Sequence, residues 1–110
     1  MKDSITFSTI RKNSEIATIF QTGFSLSNDC FIVNYLKTAN EYKFAISVNK
    51  KIFKTAVQRN KIKRQVRTFV RQIVNPKPIK FLIIVKKQYL KNTYNSNNLL
   101  FQNLLQKVIN

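Results

Sequence analysis

The sequence predicts an α+β fold: a single-domain α/β sandwich with a small, mostly antiparallel sheet, a βαβ crossover and about three helices. Three observations lead there. Apolar residues recur at helical spacing in three segments, alternate at strand spacing in two more, and run almost unbroken through a sixth. The order strand, helix, strand in the second half reads as a crossover between parallel strands. At 110 residues, 44% of them hydrophobic and nine of them Phe, the chain has material for one core and no second, so residues 1–110 form one domain.

In chain order, residues 13–22 read as a short helix. Asn13 or Ser14 caps it, Ile16, Ile19 and Phe20 share a face, and Gly23, the only glycine, ends it. Before it the chain reads as extended around Arg11 and Lys12, with room for an extra strand near Phe7. Cys30 to Leu36 alternates as a strand, with Phe31, Val33 and Tyr35 on one face and Ile32, Asn34 and Leu36 on the other. Tyr42 to Val48 repeats the pattern, with Phe44, Ile46 and Val48 opposed to Lys43, Ala45 and Ser47; Lys37 to Glu41 reads as the hairpin between the two. Val57 to Val74 switches to helical spacing, with Ile62, Val66, Phe69, Val70 and Ile73 in one stripe, and Asn75-Pro76-Lys77-Pro78 stops it. Ile79 to Val85, apolar except for Lys80, reads as a buried strand. After the Asn-rich stretch from Asn92 to Asn98, Leu100, Phe101, Leu104, Leu105 and Val108 mark a last amphipathic helix.

Charge narrows the function. The chain carries 20 Lys and Arg against four acids, Asp3, Glu15, Asp29 and Glu41, for a net charge of +16. From Tyr42 onward there are 16 basic residues and no carboxylate, so ion pairs within that half cannot neutralise it. Such a field favours a polyanion, nucleic acid first and an anionic membrane surface second. The lone Cys30 allows no internal disulfide and fits a reducing cytoplasm. No run approaches the roughly 18 apolar residues of a membrane span, and no signal-peptide core is present.

On a wheel of about 100° per residue, Asn60, Arg64, Arg67 and Arg71 gather within roughly 60°, opposite the apolar stripe. Lys61 and Lys63 flank them. Four of the five Arg residues lie between Arg59 and Arg71, and Lys50, Lys51 and Lys54 lead into the segment. A guanidinium presents two parallel donors to a phosphate, and a helix start near Arg59 and Asn60 would add free N–H groups. Most charge runs are solvated faces, but those mix signs and this one holds no acid. The pattern does not separate RNA from DNA. A second candidate is the open sheet face of Ile32, Asn34, Ala45 and Ser47, beside Phe20, where an unstacked base would fit; by pattern alone Phe20 reads as core. With no His, one Cys and four scattered acids, no catalytic residue and no metal cluster is predicted. Cys30 reads as a small buried residue.

The run Ala45-Ile46-Ser47-Val48-Asn49-Lys50-Lys51, followed by Ala56-Val57-Gln58-Arg59-Asn60-Lys61-Ile62-Lys63-Arg64-Gln65-Val66-Arg67, resembles the protein subunit of bacterial ribonuclease P. The resemblance extends to Arg11-Lys12-Asn13, to Phe20 and Gly23, and to the basic end of Phe81 to Lys87. It implies a rare left-handed crossover, against the usual right-handed preference. It also implies that a catalytic RNA subunit carries the chemistry, a Mg²⁺-dependent hydrolysis removing the 5′ leader of precursor tRNA, with the Mg²⁺ bound mainly by that RNA. The implied partners are ribonuclease P RNA and precursor tRNA, with no membrane and no protein partner required. Lys50, Lys51, Arg59, Asn60, Lys61, Lys63, Arg64, Arg67 and Arg71 would contact RNA; Phe20, Ile32, Asn34 and Ser47 would line the leader cleft.

Some positions depart from the family pattern. Lys61 stands where a second Arg is usual, which keeps the charge and loses the fork. Ile16 and Asn34 take cleft positions that are often aromatic, and Phe53 replaces a common Gly. Competing readings are a structural RNA-binding protein, such as a ribosomal one, and a nuclease acting alone.

Overall fold

The structure, a computed structural model, describes residues 7–74 and 76–109. Asp3, and Asn75 of the predicted helix stop, lie outside the described residues. The elements are β1 (Ser8–Thr9), α1 (Asn13–Thr22), β2 (Phe24–Ser27), β3 (Phe31–Lys37), β4 (Tyr42–Ser47), α2 (Ala56–Arg71), β5 (Ile79–Val85), a 3₁₀ segment (Lys87–Lys91) and α3 (Tyr94–Ile109). Three α-helices and a five-stranded open sheet make the predicted α+β sandwich.

The sheet order is β1-β4-β5-β3-β2. Strands β4 and β5 are parallel neighbours joined through α2, which is the predicted crossover. Pairing is evenly mixed rather than mostly antiparallel: β1–β4 and β4–β5 are parallel, β5–β3 and β3–β2 antiparallel. The predicted hairpin between β3 and β4 does not exist, because β5 lies between them. Their connection instead bridges the start of β5, where the Thr38 N–H donates to the Pro78 carbonyl and the Ile79 N–H to the Glu41 carbonyl. The near-continuous apolar run of β5 follows from this position, since one of its faces meets α2 and α3 and the other is covered in part by α1.

One sheet face carries the main core. Phe31, Val33, Phe44, Phe81, Ile83 and Val85 pack against Ile62, Val66, Phe69 and Val70 of α2 and Phe101, Leu104, Leu105 and Val108 of α3. Phe53 is fully buried in this core. The opposite face carries a smaller cluster, in which Ile19 and Ile16 of α1 meet Ile10, Ala45, Leu82, Leu36 and Ile84.

Helix α1 spans the predicted residues, but its flanking residue is Lys12, in extended backbone with no side-chain cap; Asn13 and Ser14 are already helical. Gly23 ends it as predicted, its N–H donating to the Ile19 carbonyl. Its φ is an ordinary −86°. Glycine is required by space, for a Cβ would come within 2.4 Å of the Tyr35 carbonyl oxygen and 2.5 Å of that of Ile19. Helix α2 is capped by Thr55, whose hydroxyl accepts from the Gln58 N–H. Helix α3 starts earlier than predicted, inside the Asn-rich stretch, because the Thr93 hydroxyl accepts from the Ser96 N–H and Asn97 turns inward to be buried.

Candidate nucleic-acid interface

Helix α2 buries Ile62, Val66, Phe69 and Val70 and exposes Asn60, Lys61, Arg64, Arg67 and Arg71. The wheel separated these faces correctly. Lys63 is half-buried at the margin. Arg59 is also half-buried and donates from its guanidinium to the Phe53 carbonyl at 2.8 Å, which ties the preceding loop to the helix. The helix begins at Ala56, not near Arg59, and the Arg59 N–H is already spent on the Thr55 carbonyl. The free N–H groups expected at Arg59 and Asn60 are therefore absent. Lys50 and Lys51 sit exposed on a turn organised by Asn49, whose side chain accepts from the Lys51 N–H at 2.7 Å.

On the sheet face under α1, strand register sets side chains in rows. Ser47, Ile84, Ile32 and Ser27 form one row, and Ala45, Leu82, Asn34 and Ser25 the next. Ile19 covers the second row at Ala45 and Leu82. The first stays open, with Ser47 exposed and Ile32 and Ile84 half-buried. Asn34 is only 8% exposed, and its side-chain amide, which keeps some access to solvent, has no hydrogen-bond partner among the described residues. Phe20 is 55% exposed, so it is not the core residue that pattern alone suggests.

These two surfaces adjoin. Beyond Phe44 the outer edge of β4 is not covered by β1, and there a groove of about 330 Å³ is lined by Arg11, Asn13 and Ile16 on one side and Lys63 and Arg67 on the other. Arg11, not assigned as a site residue from sequence, lies across the groove from the α2 cations. Only the paired register of β1 and β4 puts it there.

A four-charge cluster holds α1 to the sheet. Lys80 lies 3.1 Å from Glu15 and 3.2 Å from Glu41; Lys43 lies 3.4 Å from each. The Lys80 contact holds both carboxyls below the usual carboxylate range, and Glu15 in turn pushes the Lys80 ammonium up. Two of the chain's four acids are thus consumed beneath α1, and the α2 face keeps none.

Among the described residues no three His, Cys, Asp or Glu side chains converge, so they do not fit a resident metal ion. Cys30 is fully buried; burial pushes its thiol up, away from nucleophilic chemistry. No helix of the described residues is long and apolar enough to cross a membrane.

A family model described as Ribonuclease P matches residues 6–109. Among curated proteins, the ribonuclease P protein component of Mycoplasma mycoides is 41% identical over 91 residues, covering 77% of this chain and 81% of that protein. That of Onion yellows phytoplasma is 38% identical over 100 residues, covering 86% of this chain, which spans 64% of its length. Among solved structures, the Staphylococcus aureus RNase P protein superposes with a TM-score of 0.83 at 27% identity, over 96% of this chain and all of that one. The Thermotoga maritima RNase P protein gives 0.79 at 28% identity, over 91% and 96%.

Proposed function

The chain belongs to the ribonuclease P protein family, and from that premise we propose that it binds a catalytic RNA subunit and the 5′ leader of precursor tRNA, promoting endonucleolytic maturation of the tRNA 5′ end. One observation carries the reading. The acid-free face of α2 meets, at the Arg11–Arg67 groove, Ile16 of α1 and Ala45 of the sheet face that carries the open row, and the Phe20 ring of the same α1 is exposed. Arg64, Arg67 and Arg71, with Asn60, Lys61 and Lys63, supply phosphate contacts to the structured RNA, and Lys50 and Lys51 extend the same surface. Arg59 contributes charge while bracing the loop. A single-stranded leader suits the row of Ser47, Ile84 and Ile32, where small and aliphatic side chains leave space for bases and the free amide of Asn34 offers a base-edge contact. Phe20 supplies a stacking surface at its border.

The chemistry falls to the RNA. The chain contains no His, and two of its three described acids are locked to lysines, so the described residues assemble no acid–base pair. The Mg²⁺ of the hydrolysis is assigned to the RNA on the same ground. What the protein supplies is charge neutralisation and a fixed path for the leader, both of which lower the Mg²⁺ concentration at which the RNA works. We assign the reaction to the cytoplasm, with no further protein partner.

The test is cleavage of precursor tRNA by a transcribed bacterial ribonuclease P RNA at low Mg²⁺, with and without the protein. Stimulation is expected. Its absence would refute the proposal and leave a structural RNA-binding role; cleavage by RNA-free protein would point to a nuclease acting alone.

A further inference from the structure

Helix α2 borders a second groove, on the flank away from Arg11. At about 100° per residue, Lys63 and Arg67 fall on one side of the buried stripe of α2, and Gln58, Lys61 and Gln65 on the other. On that second side a groove of about 290 Å³ separates α2 from the corner where the 3₁₀ segment meets α3.

Its floor is fixed by a chain of hydrogen bonds that runs from Gln65 through Tyr89, Asn97 and Cys30 to Asn92. The buried Tyr89 hydroxyl donates to Gln65 Oε1 at 2.7 Å, Asn97 Nδ2 donates to the Tyr89 carbonyl at 3.1 Å, and Asn92 Nδ2 donates to Cys30 Sγ at 2.9 Å. Tyr89 holds Gln65 by its oxygen, and the Gln65 Nε2 group has no hydrogen-bond partner among the described residues. The Gln58 side chain likewise has none there, its backbone N–H alone being used by Thr55. The walls are apolar and exposed: Leu90 at 45% and Tyr94 at 41%, the Tyr94 ring anchored against Phe69 at a centroid distance of 5.1 Å. Lys61 stands at the mouth, with Lys87 and Lys91 exposed on the 3₁₀ segment beside it.

We propose that this groove takes one unstacked nucleobase of the RNA partner, with its ring against Tyr94 and Leu90, its edge on Gln58 and Gln65, and its phosphate on Lys61. The site rests on the RNA-binding reading and adds to it a contact on the far flank of α2. A flat π-face suits the two exposed apolar walls, and a base edge carries the donors and acceptors that free carboxamides match. The local charge selects the class of ligand, because the lining holds Lys61 and no carboxylate and the nearby Asp29, beside the buried Cys30, is outnumbered by Lys61, Lys87 and Lys91. The network beneath fixes the shape before anything binds, so little ordering cost attaches to docking.

The experiment measures binding of a transcribed bacterial ribonuclease P RNA across a salt series, for wild type, Tyr94→Ala, Tyr94→Phe, Gln58→Ala and the Arg64→Ala/Arg67→Ala pair, with folding checked by thermal denaturation. Tyr94→Ala should weaken binding about tenfold, as loss of a base-stacking surface does, with the salt slope unchanged because no phosphate contact is lost. Tyr94→Phe should bind like wild type, and Gln58→Ala, which removes no side-chain hydrogen bond among the described residues, should weaken binding severalfold. If Gln58→Ala binds like wild type, or Tyr94→Ala loses affinity only in step with its thermal stability, the groove holds no base. Should the arginine pair also bind like wild type, the RNA-binding reading itself fails.

Discussion

Replacing Phe20 with Ala separates packing from ligand contact, because the exposure of the ring bounds what stability can lose. Full burial of a Phe side chain contributes about 1.5–3 kcal/mol. Phe20 is 55% exposed, so under half of that, roughly 1 kcal/mol, is at stake in folding. Ala also has the higher helix propensity, which returns at most a few tenths of a kcal/mol in the last turn of α1. Stability should therefore fall by well under about 1 kcal/mol, a small shift of the urea midpoint. Binding is a different matter. A base stacked on an aromatic ring is worth about 1–3 kcal/mol, or roughly five- to 150-fold in Kd. The loss should appear only for an RNA that has a leader. The assay is equilibrium binding of labelled precursor and mature tRNA to the assembled protein–RNA particle, under conditions where cleavage is slow. Precursor affinity should drop by that factor while mature tRNA affinity holds. Equal losses for the two RNAs would show that the ring does not touch the leader.

Other perturbations test other parts. Arg64→Ala/Arg67→Ala should weaken RNA binding and flatten the dependence of log K on log salt by roughly 1.4–1.8, two phosphate contacts' worth of released counterions; an unchanged slope would remove both residues from the interface. Gly23→Ala should cost about 1–3 kcal/mol, because both atoms that obstruct the new Cβ are backbone carbonyl oxygens and must move apart. A wild-type urea midpoint would mean that the α1–β3 junction relaxes freely. For Glu15 and Glu41, carboxyls held low in the folded state, the sign is set by proton uptake. Their contribution is present above the unfolded carboxylate range near pH 4.3 and is lost as pH falls through the lower folded values. Glu15→Gln should thus lower stability at pH 7 and reduce the fall in stability below about pH 4; a variant whose stability falls with acid as steeply as wild type would refute the role of that carboxyl.

What could be read from the sequence follows how local its cause is. Helices α1 and α2 and strand β5 were legible because a residue's own neighbours at period 3.6, or an unbroken apolar run, decide them. Strand β2 was missed although Phe24 and Leu26 alternate with Ser25 and Ser27: it is four residues long, and its apolar side is mostly exposed. The false hairpin arose because adjacency in sequence cannot reveal a strand that inserts forty residues later. Among site residues, the cations of α2 follow from a wheel, whereas the place of Arg11 depends on β1–β4 register and that of Gln65 on a bond from Tyr89. Phe20 was ambiguous by pattern, since Ile19 beside it fills the role of core contact that either residue could have taken.

The position of β5 between β3 and β4 also governs how the protein comes into being. Until Ile79 to Val85 have been synthesised, β3 and β4 have no common neighbour, and the face beneath α1 has no middle. Pairings this distant in sequence form slowly, because the chain between must first be closed into a loop. By then every basic residue of α2 has already been made. A growing chain therefore carries its charge well before it has a cleft, and the arrival of a single strand converts an indiscriminate polycation into a surface with a shape.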